Sequence, residues 1–149
     1  MKIKTKAYGT VEVDERQEIY FPYGILGFES FKHFVLMDAR EKPFYWLQSV
    51  DVPEIAFILI NPYLFRPDYS LDVPGEELED IGITDSEDSL VFAIVTIPEN
   101  QSKMTANLQG PIVINKKSRT GKQMISDNPR WKVRHLILEE LAAVRNEVC

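Results

Sequence analysis

Two apolar runs of six residues indicate the fold class: residues 55–60 read Ile-Ala-Phe-Ile-Leu-Ile, and residues 90–95 read Leu-Val-Phe-Ala-Ile-Val. Each run is far shorter than the ~20 apolar residues that a membrane-spanning helix needs. Both are rich in the β-branched and aromatic side chains that favour strands. Because their apolar character is continuous, they predict central strands that are buried on both faces. Two such strands suit a compact closed sheet.

Short strand-like segments surround these two runs. Residues 2–6 and 10–14 alternate on either side of Tyr8-Gly9 and predict a β-hairpin. The other predicted strands are 18–21, 33–38, 44–49, 55–60, 90–97, 105–109, 111–115, 122–126 and 131–136. Many short strands at close spacing are typical of a barrel or a sandwich. The predicted fold class is therefore mainly β: a compact β-barrel-like domain of many short, mostly antiparallel strands with minor helices.

Helical patterns are few. Residues 29–32 suit one helical turn, and residues 74–82 suit a short helix with early acidic residues and a final glycine. The longest pattern is the tail, 136–148, which places Ile137, Leu141, Val144 and Val148 on one face. A helix of this length is marginal alone, so the tail must dock on something. We expect one domain over residues 1–136, with 137–149 as its helical tail.

Composition limits the possible functions. A chain of 149 residues with 17 basic and 23 acidic side chains has a net charge of −6, which argues against a general nucleic-acid binder. One cysteine and two histidines provide neither an internal disulfide nor a usual transition-metal site. No nucleophile elbow or phosphate loop is present, and the glycines of residues 21–29 predict a tight, apolar-sided turn. We expect a cytoplasmic, non-enzymatic protein without a cofactor, a signal peptide or a membrane span.

The charges are strongly segregated along the chain. Residues 1–66 carry a net charge of −1, residues 67–102 carry ten acidic and no basic side chains, residues 103–134 carry +7, and residues 135–149 carry −2. An acidic surface of this strength steers a basic partner toward it. The alternative is that the acidic segment serves solubility alone.

The basic stretch allows a second interpretation. Its eight Lys and Arg residues surround Trp131, a pattern that single-stranded nucleic-acid surfaces on small barrels show. A small β-barrel module that binds single-stranded RNA or DNA is therefore an alternative function. Against it, residues 116–122 suit a solvated hairpin loop and Trp131 suits the core, and a nearby acidic segment would repel phosphates.

Three stretches together resemble the FliW family of flagellar assembly factors. Residues 21–29, Phe-Pro-Tyr-Gly-Ile-Leu-Gly-Phe-Glu, are similar to the family's Gly-rich turn. Residues 44–49, Phe-Tyr-Trp-Leu-Gln-Ser, precede a Pro-Glu-Ile-Ala-Phe run and Asn61-Pro62. Residues 105–115, Thr-Ala-Asn-Leu-Gln-Gly-Pro-Ile-Val-Ile-Asn, are the most specific stretch. Leu26 stands where the family often has proline, and Gly110 stands where alanine is common.

The resemblance implies a regulator that binds two proteins in the cytoplasm. FliW-like proteins bind flagellin, and they also bind and antagonise CsrA, an RNA-binding repressor of flagellin translation. Flagellin export thereby becomes coupled to flagellin synthesis. The family fold is a compact β-barrel-like structure with minor helices, which agrees with the predicted strands.

The charge pattern allows residues to be assigned to these partners. CsrA must carry positive charge to hold RNA, so we expect it to contact the acidic segment at Glu76, Glu77, Glu79, Asp80 and Asp85. For the helical, amphipathic ends of flagellin, we expect an apolar groove that includes Tyr63, Leu64 and Phe65. The competing interpretation of these three residues is core packing.

Overall fold

The structure is a computed structural model that describes residues 1–148 of the chain. Side chains are described up to Asn146. The predicted place of Val148 on the apolar face of the tail lies outside the described side chains, and Cys149 lies outside the described residues. The strands are β1 (Lys2–Thr5), β2 (Gly9–Glu12), β3 (Glu18–Tyr20), β4 (His33–Asp38), β5 (Tyr45–Ser49), β6 (Ala56–Ile60), β7 (Ser89–Thr96), β8 (Thr105–Asn115), β9 (Thr120–Gln123) and β10 (His135–Leu136). The helices are α1 (Gly75–Glu79) and α2 (Ile137–Val148), with 3-10 turns at Glu15–Gln17, Pro62–Leu64, Ser86–Asp88 and Gln101–Lys103.

Seven of the strands in the described residues close into a barrel. Strands β3 to β9 each pair antiparallel with the next one along the chain, and a parallel pair between Tyr20 and Thr120 joins β9 back to β3. Strand β10 adds to β8 outside the barrel. Strands β1 and β2 form the predicted hairpin as a separate sheet, which packs through Ile3 and Val13. The predicted mainly β, barrel-like fold is confirmed.

The two apolar runs lie at the centre of the barrel wall. On β6, Leu59 packs in one hydrophobic cluster with Leu47 and Ile112, whereas its neighbour Ile60 packs in another cluster with Trp131. On β7, Phe92 belongs to the first cluster and Ala93 to the second. Successive residues of a strand point to opposite faces. Both runs are therefore central strands buried on both faces, as predicted, and Trp131 is a core residue.

One strand, β8, replaces the two predicted at 105–109 and 111–115. The pairing of β7 with β8 shifts register between Phe92, opposite Ile112, and Ile94, opposite Asn107, which leaves a bulge in β8. The side-chain oxygen of Asn107 accepts the backbone N–H groups of Gln109 and Gly110 at 3.0 and 2.8 Å. The bulge thus accommodates Gly110-Pro111 and satisfies local donors without ending the strand.

Three sequence predictions need correction. The predicted strand 131–136 survives only as β10, because a turn after Asn128 directs Trp131 into the core and the Lys132 carbonyl accepts from Leu108 and Gln109. The predicted strand 122–126 is β9, which begins earlier and ends at residue 123. The helical turn predicted at 29–32 is absent from the described structure, since the Phe31 N–H completes a reverse turn to the Phe28 carbonyl.

Both longer helical predictions are confirmed. Helix α1 lies within 74–82 and ends at Glu79. The turn that follows it is closed by Gly82, whose φ of +73° is the left-handed conformation common after a helix. Helix α2 packs Ile137 and Leu141 against the second core cluster. Glu140 anchors α2 further, because it accepts from the Arg66 guanidinium at 2.8 Å and lies 3.1 Å from Nδ1 of His135. The tail therefore docks on its own barrel.

Candidate protein-interaction surface

The acidic segment forms a short shell at one end of the barrel. Leu78 of α1, together with Ile81 and Ile83, packs on Val113 and Met124. The Asn115 amide donates to the Ile81 carbonyl at 2.8 Å, and the Asp88 carbonyl accepts from Lys116 at 2.8 Å. These contacts place residues 76–88 beside the end where β7 begins and β8 ends. The apolar residues of the segment point inward, so most of its carboxylates face outward.

Charges that are separate in sequence meet in this shell. Lys122 of β9 contacts Glu77 at 2.5 Å and Asp80 at 2.8 Å, and Lys117 contacts Asp88 at 3.4 Å. Within the described residues, four of the ten acidic side chains of 67–102 form such ion pairs, the fourth being Asp68. The folded chain is therefore less polarised than its sequence, because three lysines and arginines of the basic stretch neutralise part of the acidic one.

Lys122 is the centre of this pairing. Partial burial by itself lowers the pKa of Lys122, but the hydrogen bonds to Asp80 and Glu77 outweigh it and hold the pKa above its usual range. Its ammonium group also lies 4.7 Å from the ring centroid of Tyr23. Lys122 thus stays charged and is held between α1 and the turn that contains Tyr23.

The predicted acidic residues divide into two groups. Glu77 and Asp80 are engaged by Lys122, whereas Glu76 and Glu79 are exposed and have no ion-pair partner in the part of the chain that the structure describes. Asp85 is also exposed, and its carboxylate accepts the Glu87 N–H at 3.0 Å, which caps the turn Ser86–Asp88. The unneutralised charge of this shell therefore lies at Glu76, Glu79, Asp85 and Glu87.

A groove of about 540 Å³ runs beside that turn. Its lining includes Ser86, Ser89, Tyr63, Tyr45, Leu71 and Phe92. Most of these side chains are apolar or aromatic. The groove joins the acidic segment to the 63–65 cluster, of which Tyr63 lines it and Leu64 and Phe65 do not.

The three residues of that cluster have different environments. Asn61 caps the 3-10 turn Pro62–Leu64 by accepting the Tyr63 N–H at 3.0 Å. The turn leaves Tyr63 and Leu64 exposed at 40% and 46%, whereas Phe65 is fully buried in the second core cluster. The core interpretation therefore applies to Phe65, and only Tyr63 and Leu64 are placed to touch another molecule. Burial against its neighbours raises the pKa of the Tyr63 hydroxyl.

Sequence reasoning did not identify the turn of residues 22–28 as a surface. Its glycines, Gly24 and Gly27, have φ values of +67° and +87°, as a tight turn requires. The exposed side chains Tyr23, Leu26 and Phe28 project from it. Leu26, where the family often has proline, donates its N–H to the Gln123 side chain at 3.0 Å. The sequence signal for this surface was the presence of three large apolar residues in a tight turn with two glycines, because so short a turn cannot bury all three.

Other kinds of site have no support in the described residues. No group of three or more His, Cys, Asp or Glu side chains in residues 1–148 is arranged to hold a metal ion. No helix in the same part of the chain has the length and apolar character needed to cross a membrane.

Comparison with known proteins places the chain in a family. The family model described as FliW protein matches residues 2–137. The flagellar assembly factor FliW of Treponema denticola is 49% identical over 98% of this chain and all of its own length, and that of Treponema pallidum is 46% identical over 97% of both chains. A crystal structure of the flagellar assembly factor FliW superposes with a TM-score of 0.85 at 41% identity, covering 92% of this chain and 96% of that one. This chain therefore belongs to the FliW family of flagellar assembly factors.

Proposed function

We propose that the chain is a non-enzymatic cytoplasmic regulator that binds flagellin and, separately, captures the translational repressor CsrA. Flagellin in the cytoplasm occupies the chain and leaves CsrA free to repress translation. Export of flagellin releases the chain, which then binds CsrA and lifts the repression. Membership of the FliW family and the resemblance of the three sequence stretches support this proposal.

The observation that carries the CsrA part is the charge that remains after internal pairing. Glu76, Glu79, Asp85 and Glu87 are exposed at one end of the barrel, and the ion pairs of Lys122 hold α1 in place beside them. A basic protein approaching this end meets a fixed negative surface. Such a surface accelerates association and competes with RNA for the same basic side chains.

Charge reversal tests this part of the proposal. The double variant Glu76→Lys, Glu79→Lys removes unpaired charge without breaking an internal ion pair. We expect it to lower the affinity for purified CsrA and to weaken the dependence of that affinity on salt. Titration calorimetry at two salt concentrations provides both quantities.

A matched control separates a local effect from a change of net charge. Glu54 and Glu99 are exposed; Glu54 precedes β6 and Glu99 follows β7, whereas the acidic segment lies beside the start of β7. The double variant Glu54→Lys, Glu99→Lys changes the net charge by the same amount. Equal losses in both variants would contradict a docking site at α1.

The flagellin part rests on the groove beside Tyr63. Its apolar lining suits one face of an amphipathic helix, which is how we expect the ends of flagellin to bind. Substituting Tyr63→Ser and Leu64→Ser, while Phe65 stays in the core, should weaken flagellin binding and preserve the fold. The control is Ile97→Ser, Val133→Ser, two exposed apolar residues outside the groove. Unchanged flagellin affinity in the Tyr63, Leu64 variant would refute the assignment.

The structure gives little support to the nucleic-acid alternative. Lys117, Lys122 and Arg130 of the basic stretch are engaged by carboxylates, and Trp131 is buried where no base can stack on it. A gel-shift experiment with RNA and the chain alone distinguishes the two functions. Binding of RNA without CsrA would favour the alternative.

A further inference from the structure

The turn of residues 22–28 exposes an apolar surface that the proposed function does not yet use. Tyr23, Leu26 and Phe28 are exposed at 54%, 57% and 38%, and they lie within six residues of one another. Single exposed apolar side chains are common and need no explanation. Phe28 packs its ring edge-on against Phe57, with 5.2 Å between the ring centroids, so Tyr23 and Leu26 are the least covered side chains of this apolar patch.

This turn is held in one conformation. A Cβ atom on Gly24 would lie 2.5 Å from the Glu29 Cα, so the chain crosses itself closely there. The Phe28 N–H donates to the Ile25 carbonyl at 2.6 Å, and the Gly27 N–H donates to the Glu29 carboxylate at 3.0 Å. Beneath the turn, Ile25 is buried in the first core cluster. A rigid loop loses little conformational entropy when a partner binds, so apolar contact with it is efficient.

The turn is also continuous with the acidic helix α1. Lys122 contacts the Tyr23 ring on one side and the carboxylates of Glu77 and Asp80 on the other. The next residue, Gln123, holds the Leu26 backbone. Two neighbouring residues of β9 therefore connect the apolar patch to α1, and the two surfaces lie within one side chain's length of each other.

We propose that the turn of residues 22–28 is the apolar half of the docking face whose acidic half is α1. Its occupant is a basic protein segment that places an apolar side chain on Tyr23 and Leu26 and its Lys or Arg side chains on Glu76 and Glu79. Charge complementarity selects this occupant. The carboxylates of Glu76 and Glu79 have no ion-pair partner in the described residues, so they attract a basic segment and repel an acidic one. This inference rests on the proposed function, in which the basic partner is the repressor.

The variant Leu26→Ser tests the apolar half alone. Leu26 contributes its backbone N–H to the turn, which serine retains, and its side chain is exposed, so we expect the variant to fold as the unmodified chain does. We expect its affinity for CsrA to fall by about tenfold, typical of a well-placed apolar contact, while the salt dependence is unchanged. The control is Ile125→Ser, a residue of similar exposure outside the turn.

The outcomes separate this inference from the proposed function. If the unmodified chain does not bind CsrA, the proposed function fails and the inference fails with it. If Glu76→Lys, Glu79→Lys weakens binding but Leu26→Ser matches its control, only the inference is refuted. If Leu26→Ser weakens flagellin binding or self-association of the chain and leaves CsrA affinity intact, the turn serves a different occupant and the inference is again refuted.

Discussion

Substituting Gly121→Ala should destabilise the barrel at its closing seam. Gly121 of β9 is adjacent to Thr120, which pairs with Tyr20 of β3. A Cβ atom on Gly121 would lie 2.6, 2.7 and 3.1 Å from three carbons of the Phe21 ring. Carbon atoms prefer separations of about 3.5–4.0 Å, so the ring would have to move by roughly 1 Å. Phe21 is fully buried and packs edge-on against Phe34, which leaves it no space.

The expected cost is about 2 kcal/mol, within the range for overpacked cores. For a chain of this size that lowers the melting temperature by about 4–8 °C. The sign of the change in unfolding free energy distinguishes a clash from open space, because alanine in a strand without a clash is more stable than glycine by about 0.5–1 kcal/mol. Urea denaturation of the two proteins measures the difference in unfolding free energy.

Two further variants complete this test. Gly75→Ala is the control, since its Cβ would meet nothing within 4 Å, and we expect it to be neutral or stabilising. Adding Phe21→Leu to Gly121→Ala should relieve the clash, so the two substitutions should cost less together than the sum of their separate costs. If Gly121→Ala is as stable as the unmodified chain, the packing of the seam described above is wrong.

Three other perturbations test the charged contacts. Lys122→Met should lower the unfolding free energy by about 1 kcal/mol. By unmasking the carboxylates of Glu77 and Asp80, it should also strengthen CsrA binding and steepen the salt dependence of that binding, and unchanged binding in calorimetry would place α1 outside the docking face. Glu140→Gln should cost about 1 kcal/mol in urea denaturation and make α2 more sensitive to protease, because the Arg66 guanidinium loses the one of its two carboxylate partners that lies on α2. Unchanged protease sensitivity would show that this pair does not hold the helix. The Arg66 guanidinium also lowers the pKa of Asp68 from 3.8 to about 2, so the pair stabilises the fold above about pH 4 and stops doing so as the pH falls through 2. Asp68→Asn should therefore melt below the unmodified chain at pH 7, and the difference should shrink as the pH falls through 2. A constant difference across that range would contradict the pairing.

The barrel was predictable from sequence because its strands carry strong local signals. The two apolar runs became β6 and β7, and alternation identified the hairpin of β1 and β2. The bulge in β8 was not predictable, since the sequence Gly110-Pro111 is typical of the end of a strand. Here the strand continues because the pairing with β7 shifts register at this point. The strand prediction for residues 131–134 was wrong because of a tertiary contact: the burial of Trp131 outweighed the strand propensity of these residues.

The candidate surface was predictable only in part. A count of charges along the chain identified the acidic segment, but it could not show that Lys122, far along the chain, neutralises Glu77 and Asp80. Likewise, three consecutive apolar residues could not reveal that the 3-10 turn exposes Tyr63 and buries Phe65. Both features depend on contacts between distant segments, which local patterns do not encode.

Amide hydrogen exchange of the chain, alone and saturated with CsrA, shows whether CsrA docks on the acidic surface beside α1. Exchange slows where a partner covers backbone groups or holds them in place. We predict slower exchange in residues 76–88 and 22–28 when CsrA is bound, with little change in the β1–β2 hairpin. Protection confined to the basic residues 116–134, or to the far end of the barrel near Glu54 and Glu99, would contradict an acidic docking face at α1.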